Sequence, residues 1–145
     1  MILKNNNERI EFEIESYQFS DEASTEDEYN YDANWLVCRI TYTDGEVYEA
    51  YSAPALLTEE LNELYDGFAI IVDGNEESFI SSFMEPNIRI SIARKEEKIA
   101  FGFSFSYDTS DEIWKTIQIT SLLSKEEAKL LLDDIKRMKE TYPVR

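Results

Sequence analysis

The chain predicts an α+β fold built on antiparallel sheet, with about six strands and two helices covering one face in the order β-β-β-α-β-β-β-α. Three observations carry this. Several segments alternate apolar and polar residues with a period of two, two segments follow helical spacing instead, and turn signals join neighbouring strands. At 145 residues with 43% hydrophobic content, the chain fits one domain over residues 1–145 that buries roughly two thirds of the surface its unfolded form exposes.

In order, Glu11-Phe-Glu-Ile-Glu places Phe12 and Ile14 on one face and three glutamates on the other, predicting a half-buried strand that runs on towards Phe19. Residues 20–32 hold six acids and no base, and read as an exposed acidic loop. Trp35 to Thr43 is strand-like, with Leu36, Cys38, Ile40 and Tyr42 on one face. Asp44-Gly45 then signals a two-residue hairpin, with a return strand over Glu46 to Tyr51 that Pro54 ends.

A helix is expected from Thr58 as N-cap, with Leu57, Leu61, Leu64 and Phe68 on its apolar stripe, Gly67 weakening its last turn and Asp73-Gly74-Asn75 turning the chain. Ser78 to Met84 is ambiguous, and Pro86 limits any strand there to an edge or a beginning. Ile88, Ile90 and Ile92, a turn at Glu96-Glu97, and the face Ile99, Phe101, Phe103, Phe105 and Tyr107 predict an aromatic hairpin. A strand over Ile113 to Thr120 extends it to a meander. Ser124-Lys-Glu-Glu127 is a capping box, opening a helix to Thr141 whose stripe is Ala128, Leu131, Leu132, Ile135, Met138 and Tyr142.

Charge narrows the function. The first 88 residues carry 21 acidic side chains against three basic ones, whereas residues 89–145 carry ten against eleven, so the formal charge of −17 lies in the N-terminal part. A field of this sign repels nucleic acid and anionic membranes and attracts basic protein surfaces. No histidine is present, and with one cysteine this excludes the usual zinc sites and Ser-His or Cys-His catalysis. The four glycines are isolated, so no glycine-rich loop cradles a phosphate, and the acidic loop lacks the Asp-x-Asp-x-Asp-Gly pattern of a calcium site. No metal, cofactor or catalytic residue is expected. Cys38, among apolar residues, reads as a structural thiol suited to a reducing compartment. The N-terminus has no apolar signal segment, and the expected location is the cytoplasm.

Tyr31-Asp-Ala-Asn-Trp-Leu36 after the acidic loop, Pro54-Ala-Leu-Leu-Thr-Glu-Glu-Leu61 opening the first helix, Glu85-Pro-Asn87 before the meander and the ending Tyr142-Pro-Val-Arg145 together resemble the WapI-type immunity proteins. The similarity spans residues 10–145. It implies a non-enzymatic cytoplasmic antidote that binds the catalytic domain of a cognate contact-dependent toxin, often a nuclease. A nuclease needs a basic surface to grip phosphates, and an acidic chain can compete for it. The alternative is an acidic interaction module whose partner is a basic housekeeping protein.

The residues expected to meet a partner are Asp21, Glu22, Glu26, Asp27, Glu28 and Asp32 of the acidic loop, Tyr29 and Tyr31 as aromatic anchors among them, and Glu59, Glu60, Glu63 and Asp66 on the exposed side of the first helix. Each group also reads as merely solvated charge. Asp32, Asn34 and Trp35 read either as the organisers of a turn or as part of that surface.

Overall fold

The structure is a computed structural model that describes residues 1–21, 30–108 and 113–145. Among these the chain forms two four-stranded antiparallel sheets and three helices, not one sheet of six strands with two helices. The first sheet has the order β1 (Ile2–Asn5), β2 (Glu8–Tyr17), β3 (Trp35–Thr43), β4 (Tyr48–Leu57); the second has β5 (Ser78–Ile80), β6 (Ile88–Lys95), β7 (Lys98–Asp108), β8 (Trp114–Leu123). Helix α1 (Tyr31–Asn34) precedes β3, α2 (Thr58–Asp73) links the sheets, and α3 (Lys125–Thr141) follows β8.

Each sheet has an apolar face, and the two bury against one another as well as against the helices. Phe12 on β2 meets Phe103 on β7 with ring centroids 5.8 Å apart, and Tyr51 on β4 meets Phe105 at 5.0 Å. Phe68 of α2 adds an edge-on contact to Phe101 at 5.2 Å, and one continuous buried cluster takes in both sheets, α2 and α3. The sheets are stitched along β1 and β8 by Ser121. Its hydroxyl accepts from the Lys4 amide (3.0 Å) and donates to the Lys4 carbonyl (2.7 Å). Cys38 is buried in this core, and desolvation pushes its thiol far above the ordinary value, as a structural thiol requires.

The expected strands shift in detail. β1 is additional, paired with β2 across a tight Asn6-Asn7 turn in which Asn6 takes the left-handed φ of +54°. Pro54 does not end β4, which runs on to Leu57, because β4 is an edge strand and a proline there removes no ladder bond the sheet needs. The Asp44-Gly45 hairpin closes over residues 44–47, since Thr43 pairs with Tyr48, and the Asp44 carboxylate organises it by accepting the amides of Glu46 (2.9 Å) and Val47 (2.8 Å). The ambiguous 78–84 stretch contributes the short edge strand β5.

Helix α2 starts one residue earlier than expected. Leu57 occupies the cap position, and the Glu60 carboxylate accepts its amide at 2.8 Å in place of a side-chain cap from Thr58. Gly67 does not loosen the helix; it makes room for Phe79 of β5, whose ring occupies the space a Cβ would take. The helix ends at Gly74 with φ of +83°, its amide donating to Ile71 (3.1 Å) and that of Asn75 to Ile70 (3.0 Å). The capping box of α3 forms as read. The Glu127 amide donates to Ser124 Oγ (3.2 Å) and the Ser124 amide to Glu127 Oε2 (2.8 Å).

Candidate partner-binding surface

The site begins with Asn30, which caps a single helical turn: its side-chain oxygen accepts the amides of Asp32 (3.0 Å) and Ala33 (3.3 Å). That turn buries Asn34 completely and leaves Tyr31 and Asp32 outside. Asn34 then ties three distant segments together. Its amide nitrogen donates to the carbonyls of Asn30 (2.9 Å) and Arg145 (3.0 Å), and its oxygen accepts from Thr58 Oγ1 (2.8 Å) and the Arg145 amide (2.8 Å).

The C-terminal residues extend this junction along β2. Tyr142 points its hydroxyl at the carbonyls of Ile14 (3.1 Å) and Glu15 (3.0 Å), where the β2–β3 register shifts. Tyr17 donates to the Pro143 carbonyl (2.6 Å), and the Arg145 guanidinium donates to the carbonyls of Phe19 (3.4 Å) and Ser20 (2.6 Å) while lying 4.5 Å over the Tyr17 ring.

Glu60 closes the other side. Its carboxylate accepts the amides of Leu57 and Met84, pinning the segment before Pro86 to the start of α2. Burial raises the Glu60 carboxyl above the ordinary range, against the lowering by these two bonds. At 8% exposure Glu60 is a structural acceptor, which corrects its expected place on the exposed side of the helix. The signal was present in the spacing, because Glu60 stands three residues after Leu57 and four before Leu64, both buried.

The remaining predicted residues divide. Asp21, Tyr31, Asp32, Glu63 and Asp66 are exposed and Glu59 is half-buried; Glu22, Glu26, Asp27, Glu28 and Tyr29 lie outside the described residues. Asp66 pairs with Lys139 of α3 at 3.8 Å, whereas Asp32 has no ion-pair partner among the described residues. Asn34 and Thr58 place Asp32 near the start of α2, and Glu59, Glu63 and Asp66 continue along one helix stripe.

Beside α1 lies a groove of about 370 Å³ lined by Gln18, Phe19, Asp32, Trp35, Pro54 and Glu85. Five of these, Gln18, Phe19, Trp35, Pro54 and Glu85, were not among the expected partner-binding residues, although Trp35 had a reading as part of that surface. The segments 31–36, 54–61, 85–87 and 142–145 all meet at this end of the molecule, through Asn34, Glu60 and the groove itself.

A family model described as the immunity protein WapI-like family matches residues 1–143. The chain belongs to that family. The resemblance read from those four segments is thereby borne out, and the WapI-like match extends across both sheets and α3. No curated protein and no solved structure matches the chain. No helix among the described residues is long and apolar enough to cross a membrane.

Proposed function

We propose that this chain is a non-enzymatic immunity protein that binds the catalytic domain of a cognate bacterial toxin, a basic nuclease, in the cytoplasm and blocks it through the acidic surface around α1 and the exposed stripe of α2. The observation that carries the reading is membership of the WapI-like immunity family over nearly the whole chain. The charge supports the kind of partner: −17 overall, with the excess acid in the first 88 residues. Complementary charge speeds encounter and selects the partner, while a few desolvated side chains hold the complex. The surface offers Tyr31, 56% exposed, as one such anchor beside Asp32.

Co-expression tests this. The toxin encoded by the neighbouring gene should stop growth alone and fail to do so when this chain is present; continued killing with both proteins soluble would sink the proposal.

A further inference from the structure

The groove beside α1 has a lining that selects its occupant. Trp35, Phe19 and Pro54 give it apolar and aromatic walls, and Asp32 and Glu85 reach it from different elements. Neither carboxylate has an ion-pair partner among the described residues, whereas Glu11, Glu13, Glu15, Glu49, Asp66, Asp134 and Glu140 each do. Arg145, whose guanidinium is engaged by the Phe19 and Ser20 carbonyls and the Tyr17 ring, does not line the groove. By contrast, the groove of about 450 Å³ between β1, β8 and α3 carries both signs, Lys4 and Arg137 against Glu127, Asp133 and Asp134, and shows no preference for either charge.

We propose that the groove receives an arginine or lysine side chain of the toxin domain, an inference that rests on the immunity reading. The aliphatic stem lies along Trp35 and Phe19, where an aromatic face attracts the cation, and the charged head sits between Asp32 and Glu85. Next to those carboxylates in the chain, Tyr31 at 56% and Met84 at 58% exposure offer apolar surface that excludes water from the pair once a partner is seated.

The test is the dissociation constant of the full chain with a catalytically inactive form of the toxin domain encoded next to it. Both carboxylates are exposed, so Asp32→Asn with Glu85→Gln leaves the fold intact and should weaken binding about tenfold or more. Glu96→Gln with Glu97→Gln, at the β6–β7 turn, removes the same charge away from the groove and should change binding by less than about twofold. A groove variant that binds like the unaltered chain overturns the assignment, as does a turn variant that loses as much. Failure of the unaltered chain to bind overturns the immunity reading, and the groove's role with it.

Discussion

Two buried side chains decide the local geometry of the candidate surface. Asn34 makes four hydrogen bonds to Asn30, Thr58 and both backbone groups of Arg145, so truncating it leaves several buried or part-buried polar groups without their partner. Each orphaned group costs about 1 kcal/mol or more, and Asn34→Ala should destabilise the chain by about 3 kcal/mol in urea unfolding. A loss below about 1 kcal/mol would show that the three segments hold together without it. Glu60 behaves likewise. Glu60→Ala strands the Leu57 and Met84 amides and should cost about 2 kcal/mol, whereas Glu63→Ala, three residues on and exposed, should cost less than about 0.5 kcal/mol. Asn34 was named in the sequence only as one member of a dense motif. Its partners lie 4, 24 and 111 residues away, and no local pattern reveals such a junction.

Among the elements, α3 was legible almost to the residue because its information is local: a capping box and a stripe of period 3.6. β1 and β5 were not, since strands of four and three residues are too short for alternation to stand out, and both lie at sheet edges. Gly67 shows how a tertiary contact overrides a local rule. Helix propensity alone makes Gly→Ala stabilising by about 1 kcal/mol, but here the added Cβ runs into the Phe79 ring. Gly67→Ala should therefore destabilise by about 1–2 kcal/mol, and in a Phe79→Ala background the same change should become neutral or stabilising. Equal effects in both backgrounds would remove the contact as the cause.

For the molecule as a whole, charge dominates and makes stability depend on pH in two directions. Asp44, which accepts the Val47 and Glu46 amides, lies below the ordinary 3.8, and Glu127, bonded by Ser124, lies below the ordinary 4.5. Their contributions are complete above those ordinary values and are lost as pH falls through the lowered native ones. Glu60 acts in the opposite sense: raised by burial, it makes the native state hold a proton more tightly than the unfolded chain, so stability falls as pH rises from 4.5 through its native value. Repulsion among the 31 acids adds to that fall. The urea midpoint should rise from neutral pH to about pH 5 and drop again below about pH 3. The sequence showed the charge asymmetry and the antiparallel fold class, but not the division into two sheets, which depends on Phe12, Phe103, Tyr51 and Phe105 meeting across the core. The candidate surface was half legible for the same reason. Asp32 and Tyr31 stood in a recognisable motif, while Phe19, Pro54 and Glu85 join them only through folding.

Capture of a basic toxin domain by the acidic face of this chain, as proposed, is read from the association rate of the two purified proteins as a function of ionic strength. A specific complex should form, with an association rate falling at least about tenfold between low and high salt as the charges are screened. No complex, or a rate indifferent to salt, would rule out electrostatic capture by this face.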